Sequence, residues 1–284
     1  MAAATETPGM DAAPHGASVS RLRDAALKLL LFLYAAWYAG GLAIFTTGWF
    51  PVHVQVGVSG WGDCVFLSLA GLLTFFIAWR DCVWKDLALA GTFLILASTA
   101  VEIMGVKTGI PFGQYVYTEQ LGHGLGGVPW IIPICWFILL LNAYIICSVL
   151  IVPREGALSH DSLILVILAT SVVVTLVDLN LEPVAVNLKQ YWHWVDRKGS
   201  FYGVPRINFF GWLSVSIVMV SALAHVLDPR RWKLSTAWVS LFVLGSIQLF
   251  FALMNWQAHQ FVPVIISLNL IGILAIGLTW LSGK

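Results

Sequence analysis

Three carboxyls in an otherwise apolar chain are the residues best able to do chemistry: Glu102, Asp178 and Glu182. Each lies in or at the end of a long hydrophobic run, where an ionised acid at mid-bilayer costs about 2.5 to 3.5 kcal/mol and so normally faces protein. Asp178 and Glu182 are four residues apart and share one face of a helix. Glu102 and Asp178 each follow a polar residue, Asp86 and Ser162, by 16 positions. That is about 24 Å of helix, which puts both acids at one depth near the far boundary of the apolar core. Acids clustered there cannot all stay charged cheaply, and a protonated carboxyl in an apolar cavity is what acid catalysis on a hydrocarbon requires. The competing reading is structural: the acids reach headgroup water, or pair with Lys107 or Arg206.

Aromatic faces stabilise cations, and Tyr115, Tyr117, Tyr191, Trp192, Trp194, Tyr202, Trp136 and Trp212 follow the acids in the chain. Of these, Tyr115, Tyr117, Tyr191, Trp136 and Trp212 are expected to line a cavity with the carboxyls. Asn208 would hold water or a carboxyl, and His193 would assist proton transfer. Against this stands the general tendency of Trp and Tyr to collect at membrane interfaces. Other chemistries fail on context. Gly122 to Gly127 matches a dinucleotide fingerprint, but no strand precedes it and no acid lies about 20 residues on. The seven histidines never take the close spacings of a di-iron centre, so no metal site is expected. No lysine lies mid-span for a Schiff base, and no aspartate-rich pair is present for Mg²⁺ and diphosphate. Cys64, Cys82, Cys135 and Cys147 read as small buried hydrophobes.

The elements that must position these side chains are membrane helices. Hydrophobic residues make up 59% of the 284 positions and charged ones 10%, against roughly 25% charged in a soluble domain. A net charge of +1 leaves no basic field for nucleic acid. Apolar runs at about 26–49, 61–79, 86–105, 130–152, 162–182, 208–227, 235–254 and 259–281 predict an all-α, polytopic bundle of eight transmembrane helices. Residues 1–24 read as a disordered tail and 25–284 as one domain. Pro183 is expected to help end the fifth helix. With the N-terminus inside, ten Lys and Arg fall on the inner face and five on the outer, so both termini are expected to be cytoplasmic. Two long connections, 106–129 and 183–207, share the outer face, where long loops are commonly functional.

Sliding the chain by 76 positions aligns residues 99–136 with 175–212, with nine of 38 positions identical. Gln114-Tyr115 meets Gln190-Tyr191, Gly127-Val128-Pro129 meets Gly203-Val204-Pro205, Trp136 meets Trp212, and Glu102 falls opposite Asp178. The internal repeat predicts two acids at matching depth around a shared cavity.

Glu102-Ile-Met-Gly-Val-Lys-Thr-Gly-Ile-Pro-Phe-Gly-Gln-Tyr-Val-Tyr117 with Gly127-Val128-Pro129, and Asp178-Leu-Asn-Leu-Glu-Pro183 with Tyr202-Gly-Val-Pro205, Asn208 and Gly211-Trp212, resemble the integral-membrane carotenoid biosynthesis family. The likeness covers roughly residues 30–280, and its first stretch is the most specific. That family includes carotenoid 1,2-hydratases. The resemblance implies addition of water to the terminal double bond of an acyclic carotenoid, without an organic cofactor, and carries over no catalytic residues. Implied partners are the acyclic carotenoid, water, the lipid bilayer of a bacterial cytoplasmic membrane and other carotenoid biosynthesis enzymes. A cyclase using the same protonation, and a transporter or carotenoid-binding protein, are the alternatives. Transport would favour polar lining through the inner helix halves, whereas Leu87 to Ala97 and Leu163 to Ala169 are almost wholly apolar. Reporter fusions after Arg154 and after Arg197 are expected to report opposite sides of the membrane; the same side for both would remove the shared outer face.

Overall fold

The computed structural model describes residues 14–47, 52–153, 155–196 and 201–283, and for residues 14–19, 47 and 52–59 only the helical path. Among the described residues eight α-helices carry the fold: α1 (Pro14–Thr47), α2 (Val52–Ala78), α3 (Trp84–Thr108), α4 (Ile131–Ile151), α5 (His160–Asn187), α6 (Arg206–Val226), α7 (Leu234–Gln257) and α8 (Phe261–Ser282). All eight are long and apolar enough to cross a membrane, so this is an integral, multi-pass protein. Within the spans, several small polar side chains bond their own helix, as Ser98 Oγ does to the Leu94 carbonyl (2.7 Å) and Thr175 Oγ1 to that of Ser171 (2.8 Å). No water is needed there to satisfy them.

Two boundaries differ from those expected. Helix α1 already runs from Pro14, so the border drawn after residue 24 falls inside it; residues 1–13 lie outside the described residues. Helix α5 continues past Pro183 to Asn187. Proline removes one backbone donor but leaves the following turn free to close, and the Leu188 N–H reaches the Val184 carbonyl at 3.0 Å.

Helix α4 is buried on nearly every face and forms the axis of the bundle. Its Asn142 donates to Thr74 of α2 (2.8 Å), and Tyr34 of α1 bonds Ser246 of α7 (2.6 Å). A wholly buried cluster joins α7 to α5 and α8. Asn180 of α5 donates to Gln248 of α7 (3.1 Å), Asn255 of α7 donates to Asn180 (2.8 Å), and Ser267 of α8 meets Gln248 (3.0 Å).

The connections sort into two ends. At one, Asp81 accepts from the backbone N–H of Lys233 (2.8 Å) and from Thr236 (2.5 Å), Arg231 pairs with Asp86 (3.5 Å), and Arg23 reaches the Trp79 carbonyl (3.4 Å). These are connections that the positive-charge count assigns to a single face. At the other end the long connections fold over the bundle and pair. Strand β1 (Tyr115–Tyr117) runs antiparallel to β4 (Trp192–Trp194), and β2 (Gly124–Leu125) pairs with β3 (Val128–Pro129).

The β1–β4 ladder joins the two repeat units. So does the stack of Trp136 on Trp212, 3.8 Å between ring centroids and 12° between planes. The matched glycines Gly127 and Gly203 have φ of 88° and 89°, a left-handed conformation that favours glycine. Gly211 of α6 is where the first connection leans on the second unit. A β-carbon there would lie 2.8 Å from both the Phe112 ring and the Pro111 carbonyl oxygen. Gly211→Ala is therefore expected to lower stability by about 1–3 kcal/mol in thermal unfolding of the solubilised protein. Gly272→Ala, which meets nothing within 4 Å, serves as the control.

Candidate active site

Side chains alternate across a strand, and residues directly opposite in a ladder share a face. Tyr115 lies opposite Trp194 and Tyr117 opposite Trp192, so these four rings form one face, directed at the bundle. Val116 and His193 form the other face and are exposed. The rings pack in cross-strand pairs, Tyr115 with Trp194 at 5.1 Å and Tyr117 with Trp192 at 5.7 Å between centroids.

Beneath this lid lie the acids. Glu102, on α3, is buried, and both its oxygens are occupied. Oε2 accepts from the Tyr115 hydroxyl (2.5 Å) and the Tyr117 hydroxyl (2.8 Å), and Oε1 from Trp136 Nε1 (2.8 Å). Gly105, one turn on, makes this possible, since a β-carbon there would sit 2.8 Å from the Tyr115 hydroxyl oxygen. Burial, and after it the charge of Glu102, pushes the phenols of Tyr115 and Tyr117 well above the usual tyrosine range. Both are neutral donors at any physiological pH.

On α5, Glu182 Oε2 accepts from the indoles of Trp192 and Trp194 (3.2 Å each), and Oε1 from Asn208 Nδ2 (3.2 Å). The same amide nitrogen donates to Asp178 Oδ2 at 2.9 Å. Asp178 Oδ1 is buried without a hydrogen-bond partner among the described residues. Glu102, Glu182 and Asn208 border one cavity of about 40 Å³, walled by Phe112, Tyr115, Tyr117, Trp136, Trp192, Trp194 and Trp212. A space of that size suits water.

Seven of the residues expected from sequence thus meet at the cavity: Glu102, Glu182, Tyr115, Tyr117, Trp136, Trp212 and Asn208. Asp178 stands behind Asn208. Two others point elsewhere. Tyr191 is buried but turns to Asp63 of α2, which also binds Lys189 at 2.9 Å. His193 is on the exposed face of its strand. The reason is parity: the ungapped slide matches Tyr115 to Tyr191, whereas the ladder matches the Tyr-Val-Tyr face to Trp-His-Trp one residue further on. Trp192 and Trp194 were candidates only as cavity aromatics, and their role as carboxyl donors was not foreseen. Their alternation, Trp-x-Trp against Tyr-x-Tyr, is the signal that finds it.

Fold and site define a helical, multi-pass membrane protein with acids buried under an aromatic lid near one end of the bundle. Residues 62–274 match the model of the family described as "Carotenoid biosynthesis protein", and the chain belongs to that family. It is 33% identical over 197 residues, 66% of this chain, to the bisanhydrobacterioruberin hydratase of Haloarcula japonica. The match spans 61% of that relative's length. No solved structure matches the chain.

Burial of the lid phenols has a measurable consequence. Their neutral form is favoured in the fold, so this contribution is complete below the usual tyrosine pKa of about 10 and is lost as pH rises through the folded-state values. In detergent at about pH 11, the folded protein should show the same phenolate absorbance with or without the Tyr115→Phe, Tyr117→Phe double substitution. A drop in the folded double variant would mean that the phenols are open to solvent.

Proposed function

We propose that this chain is a carotenoid hydratase, adding water to the terminal double bond of an acyclic carotenoid end group by protonation and water capture. The observation that carries the reading is the cavity itself, where carboxyls from two repeat units converge among aromatic faces in a space sized for water. Membership of the carotenoid biosynthesis family and likeness to a relative named as a hydratase support the substrate class.

A proton delivered to the olefinic CH leaves a tertiary cation at the dimethyl carbon. Tryptophan and tyrosine faces stabilise that charge through their quadrupoles, by about 0.5–2 kcal/mol each. Water held by carboxyl and amide then captures the cation. Glu102, Asp178 and Glu182 form the acid and water-orienting set, with Tyr115, Tyr117, Trp136 and Trp212 about the cation and Asn208 between two of the acids. An isoprenoid end group is larger than the cavity, so entry from the bilayer parts the lid or the neighbouring helices. The end bearing Asp81, Asp86 and Arg231 is the cytoplasmic one in this reading, with both termini on that side and the acids toward the opposite surface.

Membranes holding the chain and lycopene should yield a tertiary alcohol heavier by one water, labelled when the reaction is run in oxygen-18 water. Glu102→Gln should express and lose this activity by at least about 100-fold. A ring product without added oxygen would replace hydration by cyclisation, and unchanged pigment across several acyclic substrates would turn the reading toward transport or binding.

A further inference from the structure

The three carboxyls sit in unlike surroundings. Around Glu102, three donors from two tyrosines and a tryptophan cover both oxygens at 2.5–2.8 Å. Bonds this short are those of donors to a carboxylate, and they hold it in one place. The second group is poorer in donors. Glu182 receives three bonds, all at 3.2 Å, and Asp178 receives one, leaving Oδ1 bare in a fully buried residue. The two acids are one turn apart on α5, with a single amide spanning them. A buried oxygen without a donor is costly, and a proton carried by the pair lowers that cost by removing one of two neighbouring charges.

We propose that the carboxyls divide the work: Glu102 is a fixed negative charge that holds the carbocation, and the Asp178–Glu182 pair, bridged by Asn208, carries the transferable proton. This rests on the hydratase reading of the same site. Glu182, which borders the cavity, delivers the proton; Asp178 and Asn208 act through it and are positioning residues. The alkene's π electron pair takes the Glu182 proton, forming a C–H bond at the olefinic CH and leaving a carboxylate and a tertiary cation. A lone pair of water forms the C–O bond, and the oxonium proton returns to the acid pair. The net change is one added water, and the acids are restored.

The division predicts a binding property that does not need turnover. A tertiary ammonium whose nitrogen stands in for the cationic carbon should bind the site through Glu102. The probe is a radiolabelled acyclic isoprenoid chain ending in a dimethylammonium, compared with the isosteric hydrocarbon ending in an isopropyl group, on the full chain in nanodiscs. The wild type is expected to prefer the ammonium by on the order of 100-fold, the scale of removing one partner from a buried ion pair. Glu102→Gln should abolish that preference. Glu182→Gln and Asp178→Asn should keep it while losing hydration of lycopene. No preference in the wild type, its persistence in Glu102→Gln, or its loss in Glu182→Gln would overturn the division. If Glu102→Gln does not fold, Glu182→Gln decides alone: preference kept supports the division, preference lost overturns it. A Glu102-dependent preference in a wild type that makes no oxygen-18 alcohol would uphold the charge assignment and overturn only the hydratase reading.

Discussion

Placing acids inside a membrane bundle demands hydrogen-bond donors, and here every side chain that donates to them among the described residues is neutral. Glu102 and Glu182 accept from two phenols, three indoles and one amide, and Asp178 from that same amide. Asp63, at the edge of the same end, shows the alternative, since Lys189 cancels its charge. A cation beside Glu102 would spend the field of the carboxyl on a permanent partner. Neutral donors orient the carboxyl and leave its charge to act on whatever enters the cavity.

Such donors have to come from loops. The helices around the acids are apolar through most of their length, so the phenols and two of the indoles arrive on strands that turn back onto the bundle. A lone two-stranded ladder is weak in water, and this one gains support from below and from the side. Its Tyr115 ring packs on Phe112, which in turn packs on the Trp136–Trp212 stack, and Asp63 of α2 clasps the chain just before β4 through Lys189 and Tyr191. Gly105 and Gly211 leave the room that the loop needs to sit this deep. Loop, site and helix packing are thus one structure.

Much of this was legible in the sequence. Eight apolar runs became eight helices because hydrocarbon permits little else, and the acids were conspicuous in so apolar a chain. The 76-residue slide aligns Trp136 with Trp212 and Gly127 with Gly203, and in the fold the first pair stacks and the second shares a backbone conformation. Tyr191 and His193 were chosen as loop residues among aromatics, and the fold turns them away from the cavity because a shift of one residue in a strand moves every side chain to the opposite face. Asp63 escaped notice for another reason: α2 lies outside the repeat, and only tertiary folding brings it to Lys189 and Tyr191. Pro183 looked like a stop, but tertiary packing around the end of α5 outweighs one missing backbone bond.

Helix α5 also shows how the site is aimed. Asp178 and Asn180 are about 200° apart around a helix, so they look out of nearly opposite sides. Asp178 and Glu182 face Asn208 of α6, while Asn180 is held by Gln248 and Asn255 of α7. Without this amide network an apolar helix has little to fix its rotation in a bundle, because lipid and leucine solvate one another equally well. A rotation of one residue, about 100°, would carry the two acids away from the amide that bridges them. The uncharged cluster on the far side of α5 therefore sets the angle at which the acids meet the cavity. It does so with amides, whose bonds are directional enough to fix a helix and whose neutrality keeps a second charge out of the membrane.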